Sequence, residues 1–457
     1  MEDQGYVTPG EYREAQAEGL NLHPGHKYRV IRDPFLFDLV QQELIDKYGL
    51  NTVRYGGLKA YTTINPELQE RAQEAVDSCG VCYAGGGPAA GLASVDPGNG
   101  EIVALASTEG SEEESEFNYA WQAHRQPGSS FKAFVLTTAI KQGIDPASTY
   151  YDGTSPKTLD TPGGIPWTVH NAEPGGGTMS LTEATTHSVN VIFAQLDLDV
   201  GSENVTHTAH QMGIEAPLES VPAEAIGGLA TGVTPLEMAD AYATLANGGI
   251  HHEPTAIGRV EFPTGKVDEP EADSGDRVLT EGEAYDVTKI LERVITEGTG
   301  GPASIGCSAE AGKTGTSEEL SDAWFVGYTP RYSTAVWVGH PQSREATGYG
   351  GPTAGPIWRS FMEAANGGDC GEFVEPSSLP ELSGLSGGHT SGSSGSGEGE
   401  YEELEKYVEE GEEEAEEAEE GGAKAEAETV PSPAPPPKPA PAAPQGGGPA
   451  AGGVGAG

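Results

Sequence analysis

A break in composition near Gly384 limits which part of this 457-residue chain can fold at all. Residues 384–457 hold 17 Gly and 9 Pro in 74 positions, and 16 Glu against 3 Lys. The stretch opens Gly/Ser-rich, passes through an acidic tract from Glu398 to Glu428, and closes on Pro, Ala and Gly. Such a segment cannot bury enough apolar surface to offset the entropy of ordering, so disorder is expected. The core must come from the first 383 residues, which carry 55 acidic and 21 basic side chains. The body is therefore acidic in its own right.

The formal net charge of −47 opposes binding to nucleic acid, a polyanion, and to an anionic membrane surface. No apolar run is long enough to span a bilayer, and Met1 to Gly10 has neither a basic n-region nor an apolar h-region. The four cysteines, Cys79, Cys82, Cys307 and Cys370, are too few for a disulfide scaffold. Cys79-Gly80-Val81-Cys82 has the spacing of a redox pair or half a zinc site, but no second pair completes one. A local disulfide or inert thiols is the plainer reading, and no metal or cofactor is expected.

Residues 1–57 read as polar and mostly helical, with Pro34 to Tyr48 showing helical apolar spacing. Asn65-Pro66 reads as the cap and first turn of a helix reaching Val76. Leu92 to Val95 and Ile102 to Ala106 flank the turn Asp96-Pro97-Gly98-Asn99-Gly100, a hairpin signature. Glu112 to Glu116 reads as an exposed acidic insertion. Residues 117–260 are expected to be mainly helical, with Gly/Pro-rich loops at Thr161 to Pro166 and Glu173 to Gly177. Ala323 to Tyr328 and Ser333 to Gly339 form a second predicted hairpin, and the body is expected to end near Phe373.

Three short motifs occur in order: Ser129-Ser130-Phe131-Lys132, Ser188-Val189-Asn190, and Lys313-Thr314-Gly315 followed by Thr316. A serine hydroxyl is a poor nucleophile at neutral pH and needs a base beside it. Phe131, Phe134, Val135, Leu136, Ala139 and Ile140 have helical apolar spacing, which places Ser129 in the first turn and Lys132 one turn on. The N-terminus of that helix supplies N–H groups suited to an oxyanion. Burial and a second cation, for which Lys313 is the candidate, would lower the pKa of Lys132 until a neutral amine base is feasible. Each motif alone is weak: Ser and Lys can share a surface helix, Asn190 can be a helix cap, and Lys313-Thr314-Gly315 can be a turn. Their joint order and context carry the signal. Ser202-Glu203-Asn204 repeats the second pattern and is read as chance.

Three further patterns are set aside. Gly312-Lys313-Thr314 resembles the end of a phosphate-binding loop, but Gly306 lies one residue too far away and Glu310 would face the phosphates. Gly384-Leu385-Ser386-Gly387-Gly388 matches a hydrolase elbow but falls in the expected disordered tail. His251-His252 has no third ligand nearby and is read as exposed.

With these motifs in place, the chain resembles the transpeptidase half of the class A, bifunctional penicillin-binding proteins. The likeness extends to Gly57-Leu58 with Thr62 to Asn65, Asp96-Pro97 with Gly100 to Ala104, Phe117-Asn118, Arg125 to Lys132, Ala311 to Thr316, and Asp322 to Pro330. It implies an α/β (α+β type) serine transpeptidase and β-lactamase-like fold, an antiparallel sheet flanked by helices. It implies residues 1–57 as the helical end of a glycosyltransferase domain and its linker, 58–378 as the penicillin-binding domain, and 379–457 as the disordered tail. No glycosyltransferase activity is expected of this chain.

The resemblance also implies roles. Ser129 would attack the carbonyl between two D-alanines of a peptidoglycan stem peptide, and Lys132 would take its proton. Ser188 would relay a proton to the leaving amine, and Asn190 would hold Lys132 or the substrate amide. Lys313 would support the charge balance, Thr314 and Thr316 would bind the terminal carboxylate beside Gly315, and the N–H groups of Ser129 and Thr316 would hold the oxyanion. β-Lactams would acylate Ser129. The expected location is extracytoplasmic, where Cys307 and Cys370 could pair. Other cell-wall synthesis proteins are further expected partners. The alternatives are a non-catalytic or truncated penicillin-binding module and a β-lactam hydrolase, although no Glu-x-x-Leu-Asn loop follows Ser188.

Overall fold

The computed structural model describes residues 7–10, 12–13, 34–82, 87–108, 117–172, 176–269 and 274–392. The acidic insertion at Glu112 to Glu116, most of Glu173 to Gly177 and the tail beyond residue 392 lie outside the described residues.

A five-stranded antiparallel sheet organises the body. Its strands are β1 (Ala89–Val95), β2 (Ile102–Ser107), β3 (Ala311–Thr316), β4 (Asp322–Tyr328) and β5 (Ser333–Gly339), in the order β3-β4-β5-β1-β2. Both predicted hairpins are present. The first turn is held by Asp96 Oδ1, which accepts from the Gly98 N–H at 2.9 Å. Nearly every residue of these strands is buried, and β1, β2, β4 and β5 accordingly read as largely apolar runs. The period of two assigns them alternately to two cores. Leu92, Phe325, Val336 and Val338 pack with Leu68, Ala72, Val76, Trp358 and Phe361 on one face. Val95, Trp324, Val326, Ala335 and Trp337 pack on the other with the helices that carry Phe131, Phe134 and Phe193.

The first face is covered by two helices, α1 (Pro66–Asp77) and α6 (Gly350–Asn366). As expected, Asn65 caps α1, its Oδ1 accepting from the N–H groups of Glu67 and Leu68. The second face meets α2 (Lys132–Lys141), α3 (Asn190–Val200), α4 (Pro235–Ala246) and α5 (Glu281–Thr296). Capping boxes start α4 at Thr234 with Glu237 and α5 at Thr280 with Glu283.

The expectation of a mainly helical 117–260 needs amendment. Two short antiparallel ladders interrupt it, Tyr150–Asp152 with Thr178–Ser180 and Lys157–Asp160 with Pro166–Val169. The second closes over Gly163 and Gly164, both at positive φ, which is what the Pro-Gly-Gly sequence provides. The helix Pro34–Tyr48 packs its Val40 and Leu44 against Ile257 and Val260 of a small three-stranded sheet. Its Glu43 accepts from the Ala256 N–H at 2.9 Å, so residues 34–62 and 255–268 share one cluster.

Two other expectations change, at His251-His252 and at the start of the tail, while the local-disulfide reading of Cys79 and Cys82 and the pairing of Cys307 with Cys370 are met. His251 is not exposed, because its Nε2 lies 2.9 Å from the buried carboxylate of Asp240, and His252 is also buried. Cys79 pairs with Cys82, and Cys307 with Cys370, so neither pair is a free thiol or a metal half-site. Residues 379–392 are not a disordered start to the tail. Ser383 bridges to Ile144, Thr390 bridges to Tyr151, and Leu382 and Leu385 pack on the main core. The buried carboxylate of Asp199 is shared between the Tyr151 hydroxyl at 2.9 Å and His389 Nδ1 at 2.7 Å. The elbow-like Gly384 to Gly388 belongs to this strap, with no strand-turn-helix around it. The Leu382→Ala/Leu385→Ala variant is expected to lose about 2 kcal/mol, two half-buried leucines, in urea unfolding. An unchanged midpoint would show that the strap is not docked.

Candidate active site

The Ser129 motif opens on a turn of 3-10 helix, Gly128–Phe131, that runs directly into α2. In a 3-10 turn the side chains at i and i+3 eclipse, so Lys132 lies beneath Ser129. Ser129 is half-buried, whereas Lys132 is fully buried. Gly128 has φ of 52° and sits so close to β3 that a Cβ there would lie 2.2 Å from the Thr316 carbonyl oxygen. A Cβ at Gly315 would lie 2.3 Å from the Pro127 carbonyl oxygen. Glycine at both positions lets the Ser129 turn and the strand meet backbone to backbone. Tyr242, buried on α4, donates its hydroxyl to the Ser130 carbonyl at 2.6 Å and fixes the turn from below.

Ser188 lies between the helix Leu181–Thr186 and α3, at a φ of 59°. This left-handed conformation is uncommon outside glycine and persists where its surroundings over-determine it. Here they do so. Lys132 Nζ donates to the Ser188 carbonyl at 2.5 Å and lies 3.1 Å from its Oγ. Asn190, the first residue of α3, accepts from Lys132 Nζ at 2.6 Å and donates through Nδ2 to the His170 carbonyl at 2.9 Å. Lys313 enters from β3 and donates to Ser188 Oγ at 2.8 Å. The Ser188 hydroxyl therefore stands between two buried lysine amines. Ser202 to Asn204, the second copy of the pattern, lies in the first turn of another helix away from them.

Removing two amines from water disfavours their charged forms. Burial pushes Lys132 well below the usual lysine range, and the charge of Lys313 pushes it the same way. Burial brings Lys313 down to about 7. Both amines therefore give up their protons more readily than a surface lysine does, beside a serine at a helix start.

Thr314, Gly315 and Thr316 complete the wall facing Ser129. Thr314 Oγ1 is 2.7 Å from Thr299 Oγ1, and Thr316 Oγ1 accepts from the Gly350 N–H at 3.1 Å, at the start of α6. The three motifs thus converge on one place, and Lys313 lies in a strand, which removes the phosphate-loop reading. Tyr242, Thr299, Gly350 and the His170 carbonyl were not predicted, because no local pattern connects them to the motifs. Among the described residues no cluster of His, Cys, Asp and Glu is arranged to hold a metal ion.

Residues 91–363 match the family model described as the penicillin-binding protein transpeptidase domain. The chain belongs to the penicillin-binding protein transpeptidase family. It is 29% identical over 386 residues to penicillin-binding protein 2D of Bacillus subtilis, a match covering 81% of this chain and 54% of that one. Penicillin-binding protein 1A of Mycobacterium tuberculosis is 34% identical over 382 residues, covering 76% and 45%. The chain thus spans about half the length of these curated relatives. The solved structure of PonA1 from Mycobacterium tuberculosis is similar at 30% identity with a TM-score of 0.65, covering 78% of this chain and 97% of that one. A second structure shows PonA1 in complex with penicillin V. Penicillin-binding protein 1A of Haemophilus influenzae shares the fold, with a TM-score of 0.66 at 22% identity, covering 83% and 76%. The transpeptidase fold is therefore shared as well as the family.

The contact at Gly128 gives a direct test of the site's construction. Gly128→Ala is expected to cost about 3 kcal/mol, from overpacking against Thr316 plus a left-handed alanine. Urea unfolding measures it, and a loss under about 1 kcal/mol would contradict the close approach.

Proposed function

We propose that this chain is a serine D,D-transpeptidase that cross-links peptidoglycan stem peptides through an acyl-enzyme on Ser129 and is acylated there by β-lactams. The observation that carries the proposal is the Ser188 hydroxyl held between Lys132 and Lys313, one turn from Ser129. Family membership and the penicillin V complex of PonA1 support the ligand class.

The reaction follows from the chemistry of the site. A neutral Lys132 has two N–H donors, which the Ser188 carbonyl and Asn190 Oδ1 engage, leaving its lone pair for a proton. Ser129 Oγ attacks the carbonyl carbon between the two D-alanines as its proton passes to Lys132. The N–H groups of Ser129 and Thr316 stabilise the oxyanion. The C–N bond then breaks, and the leaving D-alanine amine takes a proton through Ser188, leaving an ester on Ser129. An acceptor stem-peptide amine attacks this ester and gives a proton to Lys132, which has passed its first proton on through Ser188; the ester C–O bond breaks, the new amide forms the cross-link, and Ser129 recovers the acceptor's proton from Lys132. Thr314 and Thr316 bind the terminal carboxylate, with Lys313 as the countercharge. The two disulfides support an oxidising, extracytoplasmic setting.

Mass spectrometry after exposure to benzylpenicillin tests the nucleophile. Wild type is expected to gain one stable acyl group on Ser129 and Ser129→Ala none. Equal labelling of both would refute the assignment, and rapid turnover without an adduct would favour a hydrolase.

The pH dependence tests the base. Lys132 must be neutral to accept a proton, so acylation slows as pH falls through its lowered pKa. The rate is expected to level off well below the ordinary lysine value of about 10.4. Lys313→Met removes the cation that helps hold Lys132 down, so the inflection moves to higher pH. A wild-type rate still climbing at pH of about 10 would contradict this role for Lys132.

A further inference from the structure

The nucleophile turn and the strand facing it are tied together a second time, away from the amines. Arg125, four residues before Ser129, donates through Nε to Asp322 Oδ1 at 2.8 Å. Its other nitrogens donate to the carbonyls of His340 at 2.9 Å and Pro341 at 3.4 Å, and its guanidinium lies 4.9 Å from the Trp337 ring centre. Asp322 is the first residue of β4, and its side chain is 6% exposed. Oδ1 also accepts from Trp337 Nε1 at 2.9 Å, and Oδ2 accepts from Ser317 Oγ at 2.9 Å. Ser317 directly follows Thr316, and the Asp322 N–H donates back to Ser317 Oγ at 2.9 Å.

One carboxylate therefore grips both sides of the gap that an oxyanion would occupy. On one side is the chain leading to Ser129, and on the other is the residue after Thr316. The loop between Ser317 and Asp322 carries Glu319 and Leu320 at φ of 60° and 58°, two left-handed residues in succession. Such a loop keeps its shape only while its ends are fixed. A parallel tie, Trp324 Nε1 to the Gln126 carbonyl at 2.9 Å, supports the same turn without touching the carboxylate. Among the described residues none of these groups is hydrogen-bonded to the side chains of Lys132, Ser188 or Lys313.

We propose that Arg125 and Asp322 are a positioning pair that sets the separation of the Ser129 and Thr316 N–H groups, and so governs the rate of acyl transfer rather than the recognition of substrate. This inference rests on the transpeptidase reading above. The planar fork of Arg125 matters more than its charge, because three acceptors in different directions must be met at once. A lysine supplies the charge but cannot hold that geometry.

The test uses the full chain and a chromogenic or fluorescent penicillin in rapid-mixing kinetics, which separates the encounter constant from the first-order acylation constant. Arg125→Lys and Asp322→Asn act at opposite ends of the pair, so that loss of either to misfolding leaves the other to decide. Each is expected to lower the acylation constant by about 30- to 100-fold, toward the effect of losing one oxyanion donor. The encounter constant should stay within about threefold, and the inflection of the pH–rate profile should not move, because the buried amines are untouched. An acylation constant within about threefold of wild type would overturn the proposal. So would a fall accompanied by an upward shift of the inflection, the sign of a generally loosened site. Failure of the wild type to acylate at Ser129 would instead count against the transpeptidase reading itself.

Discussion

Everything around this site depends on keeping two lysine amines out of water on either side of one serine hydroxyl. Lys132 comes from a helix, Ser188 from a strained turn and Lys313 from a strand, and their positions span 181 residues of chain. Burying a charged amine is costly unless it is hydrogen-bonded or gives up its proton. Both remedies are used: three oxygens surround Lys132, and burial lowers both lysines. The two cores on either side of the sheet hold the three elements rigid enough for those distances to persist. The glycines at 128 and 315 let the strand close against the Ser129 turn.

This arrangement gives the acidity of the body a different meaning. A net charge of −47 would ordinarily draw lysines to the surface as counterions. Lys132 and Lys313 are instead fully buried, with no carboxylate among their hydrogen-bond partners. A carboxylate beside them would hold them protonated and abolish the base. The Asp322 carboxylate, which is close in the fold, is fully engaged by Arg125, Trp337 and Ser317. The two buried amines are a local exception inside an anionic molecule.

Much of this was legible in the sequence because the chemistry sits at short spacing. Ser129 and Lys132 are three residues apart, Ser188 and Asn190 two, and Lys313 to Thr316 is one strand, so each fragment carries its own signal. The same holds for the two hairpins and the Asn65 cap. Contacts that join distant segments were not legible. Arg125 and Asp322 are 197 positions apart, and Thr299 finds Thr314 only through the packing of α5 beside β3. The strap at 379–392 was misread because composition averages over many residues. Leu382, Leu385 and His389 are enough to anchor a segment otherwise rich in Gly and Ser. The strands Lys157–Asp160 and Pro166–Val169, only four residues each, are too short to stand out from a stretch whose pattern reads as mainly helical, although the loop between them is legible.

Burial and the neighbouring Lys313 make Lys132 give up its proton far more readily than an ordinary lysine. Nitrogen-15 NMR of selectively labelled lysine side chains, with Lys132→Met to assign the signal, reads its protonation directly. The structure predicts a Lys132 resonance that passes into the neutral-amine range well below the pH at which the surface lysines titrate. A Lys132 signal that stays that of an ammonium until the surface lysines lose their own protons would contradict it.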